Sequence, residues 1–232
     1  HAIIPYYSFG RSDKQDAARI AITARLVADL LQTAGATHVM SMMFHSPQVH
    51  GFFAVPTDPL SARPVFREYL AARDLSDYIV VAPDMGSAKS AARFAKSLKL
   101  PIAAGNKERI SDTHVRISGL VGNQVSGHKK ALVYDDEIAT GGSIDELSRV
   151  LVEEGVEDIT VVCTHGVFTR GGLERLAAVP QITEIITTDT VHMPPEKRHP
   201  KLKILSVASI FASAIYSNLH HESINELFVF GE

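Results

Sequence analysis

Short runs of aliphatic and β-branched residues alternate with longer segments of helical periodicity along almost the whole chain. Strands are predicted over 3–7, 37–44, 78–82, 101–104, 114–118, 131–134, 159–163, 184–188 and 203–205. Helices are predicted over 17–34, 60–72, 88–98, 141–154, 171–178 and 208–217. This alternation predicts an α/β fold with mainly parallel sheets covered by helices, in which ligands bind beyond the carboxyl ends of the strands.

The length of 232 residues fits one large α/β unit or two lobes. A turn predicted at Asp58-Pro59 separates two strand–helix series, so we expect lobes at 1–58 and 59–205. Residues 206–232 are expected to form a helical segment that packs back on the first lobe. Because the chain starts with His1 inside a predicted strand, we expect the first lobe to lack an N-terminal part.

Composition gives no electrostatic case for binding nucleic acid or an anionic membrane, since the formal net charge is only -3. No apolar run is long enough to cross a bilayer. Cys163 is the single cysteine, which excludes an internal disulfide and fits a reducing compartment such as the cytoplasm. Its place in a predicted buried strand favours a core residue over a nucleophile.

The segment 131–143 is the strongest candidate site. An apolar strand runs into Asp135 and Asp136, and a Thr140-Gly-Gly-Ser143 turn then opens a helix. The first N–H groups of a helix and two glycines suit a phosphate, while adjacent carboxylates suit the vicinal hydroxyls of a ribose. A simple capped strand–turn–helix junction would explain Gly-Gly-Ser alone, but the complete run favours a ribose-phosphate cradle. It is not a P-loop, because Gly142 stands where that motif has lysine.

This run resembles the phosphoribosyl-diphosphate motif of phosphoribosyltransferase-like proteins. Five further segments resemble those of ribose-phosphate pyrophosphokinases, in the same order along the chain: 4–14, 44–53, 82–86, 106–109 and 163–168. The resemblance covers nearly the entire chain, although the family's N-terminal segment has no counterpart here. It implies two phosphoribosyltransferase-like lobes, of which the first is incomplete.

The resemblance implies transfer of the diphosphoryl group of ATP to the 1-hydroxyl of ribose 5-phosphate, giving 5-phosphoribosyl 1-diphosphate and AMP. It assigns Lys107 and Arg109 to catalysis, and Arg11, Ser12 and His45 to ATP. The expected ribose-5-phosphate contacts are Arg109, Asp135, Asp136, Ala139, Thr140, Gly141, Gly142 and Ser143. Ala139 can contribute only its backbone N–H group.

Mg²⁺ is the implied cofactor, placed by the resemblance at His45 and Asp84. Because Mg²⁺ prefers oxygen ligands, His45 is expected to act through the nucleotide or a water molecule. By their residue types alone, Lys107 and Arg109 would sooner belong to a solvated loop over 106–112, and only the resemblance favours a catalytic role for them. Phe52 and Phe53 could stack on adenine or pack in the core.

Two alternatives stay open. A non-catalytic regulatory paralogue is suggested because Met43 and Ala54 stand where the family often has acidic residues. A nucleobase phosphoribosyltransferase would share the cradle, but it would need neither the segment around Arg11 nor the lysine segment. The resemblance further implies ATP and ribose 5-phosphate as partners and a homo-oligomer, either a dimer or a hexamer, with no nucleic acid or membrane partner.

Overall fold

A computed structural model describes residues 1–15, 17–109 and 115–228, without the side chains of 107–109, 115 and 116. Two compact units are present. The first contains His1–Ala62 together with the described residues from Val207 onwards, and the second contains Arg63–Ser206. The sequence placed these boundaries near residues 58 and 205.

The strands and helices follow the predicted alternation. The strands are β1 (Ala2–Ile4), β2 (Val39–Met42), β3 (Thr57–Leu60), β4 (Tyr78–Ala82), β5 (Ile102–Arg109), β6 (Val115–Gly122), β7 (Lys130–Ile138), β8 (Asp158–Gly166), β9 (Ile182–Thr188) and β10 (Leu202–Leu205). The helices are α1 (Thr23–Thr33), α2 (Arg63–Leu70), α3 (Ala88–Leu98), α4 (Gly142–Glu153), α5 (Gly172–Ala177) and α6 (Ala208–Leu219).

The first unit contains a parallel sheet in the order β1-β2-β3. The turn predicted at Asp58-Pro59 was wrong, because both residues lie inside β3. Proline is tolerated there since β3 is an edge strand of this sheet. The C-terminal segment reaches β3 through a bridge between Phe228 and Leu60, and Asn218 of α6 lies 3.3 Å from His38.

Helix α1 is shorter than predicted and buries a face other than the one that its periodicity suggests. Its buried residues are Ala24 and Ala28. The large side chains of Ile22, Leu26 and Leu30 are 38%, 55% and 57% exposed. Ala24 and Ala28 allow α1 to lie close to the apolar cluster that contains Tyr7, Phe44 and Phe53, and Val27 and Leu31 pack partly buried against it.

The second unit contains a seven-stranded sheet in the order β10-β9-β8-β7-β4-β5-β6. Only the β5–β6 pair is antiparallel, so the carboxyl ends of all the strands except β6 lie at one edge of the sheet. From β4 the chain continues to β5 and β6 on one side of the sheet. From β7 it continues to β8, β9 and β10 on the other side, and β4 and β7 are neighbours. This pair is therefore the topological switch point, where doubly wound sheets bind their ligands.

The charged loop predicted over 106–112 was wrong for its first half. Strand β5 continues to Arg109 and pairs with β6, with Lys107 opposite Ile117 and Arg109 opposite Val115. The register shifts between Gly105 and Lys107, which marks a β-bulge. Residues 110–114 lie outside the described part of the chain. No helix within the described ranges is both long and apolar enough to cross a membrane.

Candidate active site

The acidic residues of the predicted cradle lie at the switch point. Strand β7 extends to Ile138, so Asp135 and Asp136 lie within its last four residues rather than after its end. Val81 of β4 pairs with Val133 of β7, which brings the loop after β4 beside these carboxylates. Asp84, in that loop, is close enough to Asp135 to perturb its ionisation. Three predicted carboxylates therefore gather at one edge of the sheet.

The pKa of Asp135 shows how crowded this acidic group is. Burial raises its pKa well above the usual range, and the charges of Asp136 and Asp84 raise it further. The N–H group of Asp136 donates to Asp135 Oδ1 over 2.9 Å, which partly opposes that rise. Hydroxyl donors of a sugar, or a nearby cation, would stabilise the ionised carboxylates at this position.

The turn between β7 and α4 has the geometry of an anion cradle. Gly141 precedes α4 with φ of 72° and ψ of 0°, a left-handed conformation that favours glycine. No side chain caps this helix start, and the N–H groups of Gly141 and Gly142 have no hydrogen-bond partner among the described residues. Unpaired N–H groups with the positive end of a helix dipole suit a phosphate group.

Helix α5 packs against this turn and donates a hydrogen bond to it. A Cβ atom on Gly172 would lie 2.5 Å from the carbonyl oxygen of Ala139, so the helix start packs directly on the turn. Arg175 of α5 donates from Nη1 to the carbonyl oxygen of Thr140 over 2.6 Å. Neither Gly172 nor Arg175 could be predicted from the sequence, because their contacts are with backbone oxygens distant in sequence and no local motif marks them.

The loop after β4 is held by its own hydrogen bonds and by β5. Asp84 Oδ1 accepts a hydrogen bond from the N–H group of Ser87 over 3.1 Å. Gly105 lies so close to this loop that an added Cβ atom would be 2.6 Å from the carbonyl oxygen of Pro83. The strand that leads to Lys107 and the loop that carries Asp84 are therefore in direct backbone contact.

The described structure settles only the backbone of the two predicted catalytic residues. Lys107 and Arg109 both belong to β5, directly after its bulge. The roles predicted for their side chains lie outside what the structure describes. Their placement on the strand beside β4 nevertheless puts them on the second unit together with the cradle.

The residues predicted to bind ATP lie in the first unit. A Cβ atom on Gly10 would be 3.8 Å from Cβ of His45, so the loop with Arg11 and Ser12 lies beside the loop with His45. Arg11 and His45 are exposed. The Ser12 hydroxyl has internal contacts: it donates to the Ala21 carbonyl over 2.9 Å and accepts from the Thr23 N–H over 3.2 Å.

An aromatic cluster underlies both of these loops. Tyr7 packs edge-on against Phe44 and Phe53, and its hydroxyl donates to the carbonyl of Ala24 over 2.7 Å. Burial raises the pKa of Tyr7 to about 12. Phe53 is 9% exposed and stacks on Phe44, which gives it a packing role, and Phe52 packs partly buried against the same cluster.

Within the described ranges, no three His, Cys, Asp or Glu side chains are grouped so that they could hold a metal ion by themselves. Asp84, in the loop after β4, nevertheless offers the carboxylate oxygen that Mg²⁺ prefers, and Asp135 lies close enough for its pKa to be affected by Asp84. Mg²⁺ commonly keeps several water ligands and binds one or two carboxylates together with substrate phosphates. The residues present therefore fit an ion that arrives with a phosphorylated substrate.

Two family profiles match this chain. The N-terminal domain of ribose phosphate pyrophosphokinase matches residues 1–35. The phosphoribosyl synthetase-associated domain matches residues 116–229, a range that includes the cradle.

Individual proteins match over almost the whole chain. A ribose-phosphate pyrophosphokinase of Deinococcus radiodurans is 46% identical over 98% of this chain and 72% of its own length. One from Rhodopirellula baltica is 42% identical, again over 98% and 72%. The crystal structure of phosphoribosylpyrophosphate synthetase from Mycobacterium smegmatis superposes with a TM-score of 0.85 at 36% identity, covering 95% of this chain and 71% of that one.

Proposed function

Because the chain belongs to the ribose-phosphate pyrophosphokinase family of transferases, we propose that it makes 5-phosphoribosyl 1-diphosphate from ATP and ribose 5-phosphate. The observation that carries this proposal is the cradle at the switch point, where the adjacent carboxylates of Asp135 and Asp136 at the end of β7 are followed by a turn with unpaired N–H groups. An N–H cradle suits the 5-phosphate, and the carboxylates suit the 2- and 3-hydroxyls.

The proposed reaction is a single displacement at the β-phosphorus of ATP. The oxygen of the 1-hydroxyl forms a bond to that phosphorus, and the bond from the phosphorus to the oxygen that bridges the α- and β-phosphates breaks. AMP leaves with the bridging oxygen, and the hydroxyl proton passes to solvent. Such chemistry depends on positioning and on neutralising phosphate charge more than on covalent catalysis.

The residues divide into three roles. Asp135, Asp136 and the backbone of 139–143 hold ribose 5-phosphate. Lys107 and Arg109 neutralise charge on the transferring diphosphoryl group, and Arg109 also contacts ribose 5-phosphate. In the first unit, Arg11 and His45 bind ATP. Ser12 is the weakest of the proposed ATP contacts, because its hydroxyl already has two backbone partners.

Mg²⁺ is the proposed cofactor, with Asp84 and His45 at its site. When bound, the ion would neutralise phosphate charge on the nucleotide. Asp84 can supply carboxylate oxygen, whereas His45 would act through a water molecule or the nucleotide. We further propose a cytoplasmic homo-oligomer, a dimer or hexamer that shares ATP sites between subunits, with no nucleic acid or membrane partner.

The direct test is formation of AMP that depends on ribose 5-phosphate. The full chain would be incubated with ATP, Mg²⁺ and ribose 5-phosphate, and nucleotides would be separated by chromatography. The expected result is AMP and phosphoribosyl diphosphate in equal amounts, lost in a Lys107→Met variant. No product from the chain alone, together with its co-purification with an active family member, would favour a regulatory paralogue instead. Base-dependent consumption of phosphoribosyl diphosphate without ATP would favour a nucleobase phosphoribosyltransferase.

A further inference from the structure

We propose that Arg175 is a positioning residue for the cradle, which fixes the direction of the Thr140–Gly141 peptide so that its N–H group faces the phosphate. This inference rests on the proposed ribose-5-phosphate site. Its basis is the hydrogen bond of 2.6 Å from Arg175 Nη1 to the carbonyl oxygen of Thr140.

The geometry of the Thr140–Gly141 peptide bond links the hydrogen bond of Arg175 to the direction of the Gly141 N–H group. In a trans peptide the carbonyl oxygen and the N–H group point to opposite sides of the chain. When Arg175 holds the carbonyl of Thr140 towards α5, the N–H group of Gly141 must point away from α5. This N–H group has no hydrogen-bond partner among the described residues, so it is available to a ligand.

The residues of the turn do not by themselves fix the direction of the Thr140–Gly141 peptide, so a contact from outside the turn must fix it. Gly141 lacks a Cβ atom and occupies the left-handed region at φ of 72°. Glycine populates both signs of φ readily, so a flip of the Thr140–Gly141 peptide has little steric cost on that side. The flipped peptide would present a carbonyl oxygen to a phosphate, which repels it. Arg175 opposes the flip, since the flipped state loses a hydrogen bond from a charged donor.

The surroundings of Arg175 support this role. The hydrogen bond to Thr140 is the one polar contact of its guanidinium among the described residues, and no carboxylate there pairs with it. A Cβ atom on Gly142 would lie 4.0 Å from Nη1, so the positive charge borders the first turn of α4. The guanidinium therefore adds positive potential where the phosphate is proposed to bind.

The test compares Arg175→Met, Arg175→Lys and the matched control Arg149→Met in the full chain. Arg149 is an exposed arginine in the second half of α4, and its guanidinium pairs with Asp145 over 3.2 Å and with Glu146 over 4.0 Å on the same helix. Steady-state kinetics would give KM values for ribose 5-phosphate and ATP, and calorimetry would give ribose 5-phosphate affinity without turnover. Thermal unfolding would confirm that each variant is folded.

Arg175→Met should raise the KM for ribose 5-phosphate about tenfold, the size expected for loss of one hydrogen bond from a charged donor, and leave the KM for ATP unchanged. Lysine should restore part of the loss, and Arg149→Met should stay within about twofold of the unchanged chain. Equal ribose 5-phosphate affinity in all four proteins would overturn the inference. Binding of ribose 5-phosphate without turnover in the unchanged chain would overturn only the proposed reaction. If Arg175→Met fails to fold, Arg175→Lys is compared with the unchanged chain, and equal ribose 5-phosphate affinity of these two proteins overturns the inference.

Discussion

Gly105 of β5 lies against Pro83, with room for no side chain between the two backbones. A Cβ atom on Gly105 would be 2.6 Å from the carbonyl oxygen of Pro83 and 3.3 Å from Cδ1 of Ile117. This contact joins the strand that carries Lys107 to the loop that carries Asp84. We therefore expect these two parts of the proposed site to move together when the contact is disturbed.

Gly105→Ala is predicted to destabilise the chain and to lower turnover. Overpacking costs about 1–3 kcal/mol, and each kcal/mol lowers the unfolding midpoint by about 2–4 °C in a protein of this size. Calorimetry would measure the midpoint, and the AMP assay would measure turnover. Gly51→Ala is the control, since a Cβ atom there meets no atom within 4 Å. An unchanged midpoint and unchanged turnover in Gly105→Ala would contradict the contact.

Gly141→Ala tests whether the turn before α4 holds ribose 5-phosphate. Alanine must adopt a left-handed φ there, which costs about 1–2 kcal/mol, and its Cβ would lie 3.1 Å from the Gly172 carbonyl oxygen and from Leu176 Cγ. Gly155→Ala is the matched control, because Gly155 also has positive φ, of 93°, but open space around it. Both variants should lose stability in unfolding experiments. Only Gly141→Ala should weaken ribose 5-phosphate binding. Equal affinity of the two variants for ribose 5-phosphate would show that the turn does not bind this ligand.

The raised pKa of Asp135 predicts how stability depends on pH in the ligand-free chain. Because the folded state holds this proton more tightly than the unfolded state, its contribution is complete below the unfolded pKa of about 4 and is lost as pH rises through the raised folded pKa. Asp135→Asn removes this titration. The variant should therefore lose less stability than the unchanged chain as pH rises from about 4 to neutrality.

Urea unfolding at several pH values would measure this difference, with Asp145→Asn as a control carboxylate in the first turn of α4. The same Asp135→Asn protein should bind ribose 5-phosphate more weakly at neutral pH. Parallel profiles of unfolding free energy against pH for the unchanged chain and Asp135→Asn would show that folding does not raise the pKa of Asp135.

Cys163 is predicted to be unreactive in the folded chain. It is fully buried in β8, and burial raises the pKa of its thiol to about 12, so little thiolate exists near pH 8. A chromogenic disulfide reagent should detect no thiol until denaturant is added, and then one per chain. Rapid labelling of the native protein would contradict the buried position.

The sequence predicted best those elements whose local pattern agrees with their packing. The limits of β4 and α3 match their predicted ranges, because an apolar run and a clear helical period define each one. Strand β3 was missed, since Asp58-Pro59 is typical of a turn and only its edge position makes it a strand. The second half of β5 was not predicted as a strand because it contains charged residues. Its hydrogen-bonded pairing with the antiparallel strand β6 makes it part of the sheet.

The candidate site divides in the same way. Asp135, Asp136 and the glycines of the turn form a local motif, so the sequence alone could predict them. Arg175 and Gly172 act on the carbonyl oxygens of Thr140 and Ala139, and such contacts leave no periodic or compositional signal. The opposite holds for Ile22, Leu26 and Leu30, whose clear helical spacing does not reveal that the structure exposes them.

Transfer of the diphosphoryl group from ATP to ribose 5-phosphate can be followed with two labels, one on the α-phosphate and one on the β-phosphate of ATP, in reactions with and without ribose 5-phosphate. The proposed reaction puts the α-label in AMP and the β-label in phosphoribosyl diphosphate, and neither product should form without ribose 5-phosphate. Recovery of the β-label in ADP or free phosphate, or AMP formation independent of ribose 5-phosphate, would contradict it.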